Sequence, residues 1–309
     1  MEIAKPCSPA ETLLPTPWSA AFDGLQDDLA QVVHVAQGLN HLINTRLGEL
    51  LSPAAGHGSQ ALTQAMRHAV LGPGKRIRPT LAVLVGRDCN APAAAMLDAA
   101  CALEIVHCAS LVIDDLPAMD NAEQRRGRAS THAVHGVDVA MLAAIALLAR
   151  AFAILSSLQG TAAPQRAKLV GLMAEAVGEA GLAGGQVSDL RCSSPSVLTA
   201  DTYGRLCALK TGVLFDAAVN MAATLAAVSD ARLQRLRQFS QHVGQAFQIA
   251  DDLSDAHEDA APTFVSLQGA AASRRLLRLH VDGALASLES RQGVLQGWLA
   301  ALFAPAQRL

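Results

Sequence analysis

The chain has 309 residues, of which 51% are hydrophobic but only 3% aromatic, with a formal net charge of −3. Alanine and leucine supply most of the apolar content, and both favour helices, whereas the β-branched and aromatic enrichment of strands is missing. There is no basic stripe of the kind that nucleic-acid binding requires. The composition therefore predicts an all-α protein and disfavours a nucleic-acid-binding one.

The chain reads as one domain after a short lead-in. Residues 1–24, rich in proline and acids, lack the basic start and apolar stretch of a signal peptide, and we expect them to be loosely ordered. From 25 to 309, helical patterns alternate with short breaks rich in glycine, proline and serine, none long enough for an interdomain linker. These patterns predict a single-domain bundle of ten or more helices.

Two further features predict a soluble, cytoplasmic protein. The longest apolar run, Val139–Ala149, stops at Arg150 and is shorter than the roughly 20 residues of a membrane span. The six cysteines are scattered with no CxxC pair, which indicates reduced core thiols and no disulfide framework or zinc site.

The first acid cluster follows a predicted buried helix that runs from about Ala95 to Leu116. The segment DDLPAMD places Asp114, Asp115 and Asp120 at its end. Because a helix usually ends before a proline, Pro117 lets the chain turn and bring Asp120 back toward Asp114. Carboxylates next to an apolar run cost several kcal/mol to bury unless something neutralises them.

The second acid cluster ends another predicted helix, which starts after an N-cap at Ser229 and runs to about Asp255. Asp251 and Asp255 are four residues apart and share a helix face. Carboxylate ligands without histidine or thiolate suit Mg²⁺ better than zinc. A single acidic triplet is most often a solvated helix end. Two such clusters, with the basic motifs GKRIRP and QRRGR, instead predict a diphosphate held through bridging magnesium ions.

Five motifs occur in order over about residues 60–270, namely GPGKRIRP, DDLPAMDNAEQRRGR, GGQVSDL, LKTG and FQIADDLSD. In these motifs the chain resembles the trans-isoprenyl diphosphate synthases, and among them the bacterial geranylgeranyl diphosphate synthases. The resemblance implies the isoprenoid synthase fold, with helices around a central cavity. It also implies a Mg²⁺-dependent homodimer with three ions per site, which adds isopentenyl diphosphate to dimethylallyl, geranyl or farnesyl diphosphate.

The resemblance assigns roles to individual positions. Isopentenyl diphosphate is expected at Lys75, Arg78, His107 and Arg126. The allylic diphosphate is expected at Arg125, Lys210, Thr211 and Gln248, with Gln186 and Asp189 as a polar pair in the same cavity. Asp114, Asp120 and Asp251 are the expected principal magnesium ligands, supported by Asp115, Asp252 and Asp255. By itself, His107 on an apolar helix would be read as a core histidine, and Lys210-Thr211-Gly212 as an ordinary break.

Product length is expected to depend on the level one helical turn before Asp114, where Ala109 and Ser110 are both small. In the family, a bulky aromatic residue at this level favours the C15 product. Small residues there predict the C20 product, geranylgeranyl diphosphate, with Leu103 and Val106 as candidates for a deeper floor. A farnesyl diphosphate synthase is the nearest alternative. A terpene cyclase is disfavoured because it needs no isopentenyl site.

The chain departs from the family after the second acid cluster. Its short segment AHEDAAPT contains no lysine, whereas the family usually has a longer loop with Gly-Lys pairs that reach the allylic diphosphate. A lost charge-assisted bond to phosphate costs about 1.5–3 kcal/mol, which predicts weaker allylic binding or slower turnover. This departure leaves open a weakly active or non-catalytic regulatory subunit of another prenyltransferase.

Grafting a Gly-Lys-containing loop in place of residues 256–263 is expected to lower the Michaelis constant for the allylic substrate, because the graft restores a cation to the phosphate site. Steady-state kinetics with varied allylic diphosphate measure the effect. A graft of equal length with glutamine in place of lysine is the control, and an unchanged constant would contradict the account.

Overall fold

The computed structural model describes residues 29–52, 59–191, 199–254, 262–288 and 293–308. Within these ranges the chain forms fourteen α-helices, one π-helical segment and one very short hairpin. The predicted all-α fold is confirmed. The lead-in at 1–24, Asp255 and most of the lysine-free segment lie outside the described residues.

The elements follow one another along the chain with short connections. The helices are α1 (Leu29–Leu50), α2 (Gln60–Val70), α3 (Ile77–Asp88), α4 (Ala93–Asp114), α5 (Thr131–His135), α6 (Val137–Ser156), α7 (Ala163–Val177), α8 (Leu182–Arg191), α9 (Ala200–Cys207), α10 (Val213–Leu225), α11 (Asp230–Ser254), α12 (Phe264–Gln268), α13 (Ala270–Ala286) and α14 (Val294–Arg308). The π segment (Ala208–Gly212) joins α9 to α10, and strands β1 (Gln124–Arg125) and β2 (Arg128–Ala129) form the hairpin.

Helix α4 is the centre of the bundle. It packs against α3, α6 and α10, and fifteen of its 22 residues are buried. A helix enclosed on several sides needs no polar face, which explains its almost unbroken apolar sequence. Its observed bounds lie two residues before the predicted ones at each end. Helix α11 packs against α10 and α13, and the Ser229 hydroxyl accepts from the N–H of Arg232, so it caps α11 as predicted.

The apolar run at Val139–Ala149 was predicted to be too short to cross a membrane, and that argument is wrong. Helix α6 continues through Arg150 to Ser156 and, like α4 and the continuous helical stretch Ala200–Leu225, is long and apolar enough by length and composition. Most of α4 is buried inside the protein, whereas α6 is less than half buried. Part of its apolar surface is exposed, including Met141, Leu142 and Ile145.

Four of the six cysteines fall in the described ranges, and all four are buried and form no disulfide. Cys101 and Cys108 lie on α4, and burial raises the pKa of the Cys108 thiol to about 12. Buried, protonated thiols behave as small apolar side chains. These four thiols agree with the core role expected for the cysteines.

Candidate active site

A cavity of about 600 Å³ opens between the start of α3, α4, the hairpin, the π segment and α11. Eight of the residues assigned from the motifs line it: Lys75, Arg78, His107, Arg125, Arg126, Thr211, Gln248 and Asp251. They come from five separate parts of the chain, so the fold collects motifs that are up to about 170 residues apart in the sequence.

Cations crowd one wall of this cavity around a neutral histidine. Nε2 of His107 lies 3.4 Å from an Arg78 nitrogen and 3.3 Å from an Arg126 nitrogen. A guanidinium can only donate, so Nε2 accepts and the ring carries its proton on Nδ1. Burial and then the charges of Arg78 and Arg126 hold the pKa of His107 well below its usual value. The wall is thus a donor surface suited to an anion.

Arg78 is enclosed but is not fully satisfied by the protein. Its guanidinium lies 4.9 Å from the centre of the Phe215 ring and 5.4 Å from that of Phe247, close enough for cation–π attraction. Burial lowers the pKa of Arg78 to about 10, and the charge of Glu104 opposes this shift. Its Nε is buried with no hydrogen-bond partner among the described residues. A buried donor without a partner costs free energy that a bound phosphate would recover.

The hairpin brings two arginines to the cavity. Arg126 and Gly127 form its turn, with φ values of 54° and 72° in the left-handed region. A Cβ on Gly74 would lie 2.6 Å from an Arg126 nitrogen, so glycine in GPGKR makes room for that side chain. Arg125 donates from Nε and a terminal nitrogen to Oδ1 of Asp115, at 2.8 and 2.5 Å. Asp115, which is buried, therefore holds Arg125 in place.

Asp120 does return to Asp114 after the helix ends. The backbone N–H of Asp120 donates to the carbonyl of Asp114 at 2.9 Å, across a turn that contains Pro117. Burial raises the pKa of the Asp114 carboxyl to about 6, with the charge of Lys210 opposing the rise and that of Asp120 adding to it. Asp114 and Asp120 of the first acid cluster are thus mutually repelling carboxylates that a cation would stabilise.

The adjacent aspartates of the second cluster face different ways. Asp251 lines the cavity. Asp252 is buried and accepts from the N–H of Phe264 at 2.7 Å, from Nε2 of Gln248 at 2.7 Å and from the Tyr203 hydroxyl at 3.4 Å. Asp255, expected to share a face with Asp251, lies outside the described residues.

The π segment carries Lys210 and Thr211 toward the site. Nζ of Lys210 lies 2.5 Å from an oxygen of Asp189 on α8, and the Thr211 hydroxyl donates to Gln248 on α11 at 3.0 Å. A Cβ on Gly244 of α11 would lie 3.1 Å from the Cα of Gly212, so two glycines allow α11 and the segment to approach. Such π-helical turns inside helices are frequent at functional sites.

Gly185 of the GGQVSDL motif also packs against the π segment. Its added Cβ would lie 2.8 Å from the backbone nitrogen of Lys210 and 2.9 Å from the carbonyl carbon of Leu209. Gln186, next to it, has both amide atoms buried with no partner among the described residues. The motif therefore combines a close backbone contact with a polar side chain that a ligand could satisfy.

Replacing Gly185 with alanine is expected to destabilise the protein by about 1–3 kcal/mol, because the backbone of the π segment must shift to admit the methyl group. The shift also displaces Lys210 and so weakens allylic binding. Urea unfolding and the allylic Michaelis constant measure the two effects. Gly171→Ala on α7, where nothing lies within 4 Å of the added Cβ, is the matched control. Equal stability of the two variants would contradict the contact.

The positions expected to set product length lie on α4 below the first acid cluster. Ala109, Leu103 and Val106 are fully buried, whereas Ser110 is half-buried and its hydroxyl donates to the carbonyl of His107 at 2.9 Å. None of the four is among the residues lining the 600 Å³ cavity. That cavity therefore does not include the level of α4 that is expected to set product length.

Sequence reasoning missed three kinds of residue in this site. Phe215 and Phe247 flank Arg78, and Glu104 lines the cavity three residues before His107. Arg76, in the middle of GKRIRP, was given no role. Only Phe247 and Arg76 lie inside the five motifs. Phe215 and Glu104 lie on apolar helices, where no motif marked them as site residues.

The part of the chain that matches known proteins contains the same five motifs. The profile of the family described as polyprenyl synthetase matches residues 59–263. The chain belongs to the polyprenyl synthetase family. The geranylgeranyl diphosphate synthase of Pseudescherichia vulneris is 41% identical over 235 residues, covering 71% of this chain and 75% of that protein. The geranylgeranyl diphosphate synthase of Pantoea ananas is 39% identical over 256 residues, covering 78% and 82%.

Solved structures of polyprenyl synthetases have the same architecture. The apo structure of an FPP/GFPP synthase from Zymomonas mobilis matches with a TM-score of 0.81 at 34% identity, covering 91% of this chain and 99% of that one. A geranyltransferase from Legionella pneumophila matches with a TM-score of 0.82 at 29% identity, covering 91% and 98%. The resemblance inferred from the motifs, and with it the isoprenoid synthase fold, is confirmed.

Magnesium fits the donor set of this site. Asp114, Asp120 and Asp251 supply only carboxylate oxygens, the ligand type that Mg²⁺ prefers. In the described part of the chain no three His, Cys, Asp or Glu side chains form a group that could hold a metal ion. Mg²⁺ typically takes one or two carboxylates together with substrate phosphates and waters, so a preformed protein cage is not required.

Proposed function

We propose that this polyprenyl synthetase is a Mg²⁺-dependent prenyltransferase that adds isopentenyl diphosphate to an allylic diphosphate and forms geranylgeranyl diphosphate. One observation carries the proposal: Arg78, Arg126 and Asp251 line a single cavity, and Asp114 and Asp120 lie at the end of helix α4, which also lines it. This combination of cations and carboxylates suits two diphosphates, one held directly by cations and one held through metal ions. The choice of product rests on the geranylgeranyl diphosphate synthases that this chain resembles.

The cationic wall binds the isopentenyl diphosphate. Lys75, Arg78 and Arg126 donate charge-assisted hydrogen bonds to its phosphate oxygens. His107 accepts from both arginines and so keeps their remaining donors aimed into the cavity. The neutral ring adds no charge that would need a counter-ion.

A second group of side chains binds and activates the allylic diphosphate. Arg125, held by Asp115, and Lys210, held by Asp189, place two cations beside the leaving group, while Thr211 and Gln248 form a hydrogen-bonded pair at its edge. These cations stabilise the negative charge that develops as the allylic C–O bond breaks. Bound Mg²⁺, held by Asp114, Asp120 and Asp251, supplies further Lewis-acid stabilisation of the same charge.

The chemistry requires no nucleophilic side chain. The double bond of isopentenyl diphosphate attacks the allylic carbon, and a proton is then lost to the released diphosphate. The chain's own task is to orient both substrates and to keep water away from the cationic carbon. Phe247, which packs on Arg78 and lines the cavity, contributes apolar surface there.

Product analysis tests the proposal. Purified protein is incubated with Mg²⁺, labelled isopentenyl diphosphate and, separately, dimethylallyl, geranyl or farnesyl diphosphate, and the dephosphorylated products are sized. We expect a C20 product from each starter. A C15 end product would favour the farnesyl diphosphate synthase alternative, to which the Zymomonas and Legionella structures lend weight. No product with any starter would favour a regulatory subunit.

Replacing Ser110 with phenylalanine is expected to shift the main product from C20 to C15, because a half-buried position one turn below Asp114 would then carry a bulky ring. The same product analysis measures the shift. Ala109→Phe is less suitable, because Ala109 is fully buried and an added ring would overpack the core. Ala94→Phe, at an exposed position of the same helix, is the control. An unchanged product from Ser110→Phe would contradict the assignment.

The exposed apolar face of α5 and α6 supports a homodimer. Val134, Val137, Met141, Leu142 and Ile145 are each between 41% and 63% exposed. Contiguous apolar patches of this kind mark interaction surfaces, and a twofold pairing would bury the same patch on both subunits. We place the protein in the cytoplasm, in keeping with the four buried cysteines of the described ranges, which form no disulfide. Sedimentation analysis at micromolar concentration tests the dimer.

A further inference from the structure

Arg76 borders the cavity together with Lys75 and Arg78, but its guanidinium is bonded within the protein. It is 4% exposed, and its backbone has φ 48°, in the left-handed region that non-glycine residues rarely adopt. Its terminal nitrogens donate to Oε1 of Glu104 at 2.7 Å, to the carbonyl of Val70 at 2.7 Å and to that of Gly72 at 3.0 Å. Its Nε donates to Asn44 at 2.9 Å.

These bonds connect four parts of the fold at the point where α3 begins. Asn44 lies on α1, Val70 ends α2, Gly72 lies in the loop before Arg76, and Glu104 lies on α4. Because these bonds anchor Arg76 and its backbone is left-handed, Arg76 fixes the loop from which Lys75 and Arg78 reach the cavity. A strained backbone conformation persists only where its surroundings over-determine it.

Glu104 would be harmful to anion binding without its partner. The side chains of Arg76 and Glu104 are each 2% exposed, and Glu104 also lines the cavity that holds the cationic wall. An uncompensated carboxylate there would repel a diphosphate. Paired with Arg76, it still attracts the Arg78 guanidinium and offsets part of the effect of burial on that group.

We propose that Arg76 and Glu104 form a positioning pair for the isopentenyl diphosphate subsite: they fix the loop before α3 so that Lys75 and Arg78 converge on one anion. The inference rests on the proposed function, because it specifies which substrate the pair serves. Neither residue touches the reacting atoms. Their loss should therefore weaken binding of isopentenyl diphosphate and leave the chemical step and the allylic substrate little affected.

Three variants separate the contributions of the pair. Arg76→Gly keeps a backbone that tolerates positive φ and removes the guanidinium. The double variant Arg76→Met with Glu104→Leu replaces a buried ion pair with apolar side chains, an exchange that proteins often tolerate. Arg76→Lys keeps the charge but cannot reach all four acceptors at once. Arg46→Met is the matched control, because Arg46 on α1 forms a similar pair with Asp98 on α4, at 2.6 Å, outside the cavity.

We expect Arg76→Gly and the double variant to raise the Michaelis constant for isopentenyl diphosphate by about tenfold or more, which corresponds to about 1.4 kcal/mol of lost binding. The turnover number at saturation and the allylic Michaelis constant should stay within about threefold of the original. Arg76→Lys should partly restore binding, and Arg46→Met should leave all three constants unchanged. A uniform fall in turnover with both Michaelis constants unchanged, or no change at all, would overturn the proposal.

Direct titration of the protein with isopentenyl diphosphate, without any allylic substrate, tests the pair independently of turnover. If the unaltered protein makes no product with any starter, the proposed function fails, and the pair is judged on the ratio of dissociation constants. If Arg76→Gly and the double variant do not fold, Arg76→Lys and Glu104→Gln, which keep most of the hydrogen bonds, are titrated in their place. Affinities equal to that of the unaltered protein would then overturn the pairing.

Discussion

Replacing Asp114 or Asp251 with alanine is expected to lower the turnover number for prenyl transfer by about a thousandfold or more. Each change removes a carboxylate that would hold Mg²⁺ against the leaving diphosphate, and a thousandfold loss corresponds to about 4 kcal/mol of transition-state stabilisation. Stability should change much less, because ionising Asp114 is already opposed by burial, which raises its pKa to about 6. Single-turnover assays at saturating Mg²⁺ measure the loss.

Matched variants show whether the charge or the shape of the side chain is responsible for the loss of turnover. Asp114→Asn keeps the size of the side chain and one oxygen but loses the charge, and it should be nearly as inactive as Asp114→Ala. Asp282→Ala, at an exposed position on α13, should retain full activity. Full turnover in both Asp114→Ala and Asp251→Ala would rule out metal-assisted departure of the diphosphate at this site.

The sequence predicted the parts of the structure that depend on local rules. The alanine- and leucine-rich composition indicated helices, Ser229 marked the start of α11, and Pro117 indicated the turn that returns Asp120 to Asp114. Each of these follows from propensity, capping or backbone sterics within a few residues. The placement of the motif residues around one cavity came instead from the family resemblance.

What the sequence did not resolve is how two like neighbours differ in their placement at the cavity. In DDLSD, Asp251 lines the cavity while Asp252 is buried, and in GKRIR, Lys75 and Arg76 both line it but the Arg76 guanidinium is bonded within the protein. Successive residues of a helix point about 100° apart, so the outcome for the two aspartates depends on the rotation of α11, which packing against its neighbours sets. The outcome for Arg76 depends on acceptors that are distant in the sequence, such as Glu104. The π segment was not predicted from the sequence either; in the structure Gly212 packs closely against Gly244 of α11, which is distant in the sequence.

Asp252 connects three elements around the second acid cluster, which gives it a different role from Asp251. It joins α11 to α12 through the N–H of Phe264 and to α9 through Tyr203, and it orients the amide of Gln248, whose oxygen accepts from Thr211. Burial raises the pKa of Asp252, and the hydrogen bonds from Phe264, Gln248 and Tyr203 oppose the rise. The bond from Phe264 also joins the two helices that precede and follow the short lysine-free segment.

Replacing Asp252 with alanine is expected to lower the free energy of unfolding by about 2–4 kcal/mol, because the buried N–H of Phe264 and the Gln248 amide lose their acceptor. Urea unfolding measures this loss. Asp252→Asn should recover only part of it, since its NH₂ group would face a donor that the carboxylate accepts from. The decisive comparison is with Asp251→Ala, which should lose activity while keeping most of the stability. If Asp252→Ala were as stable as the original protein but inactive, the two neighbouring aspartates would both belong to the metal site.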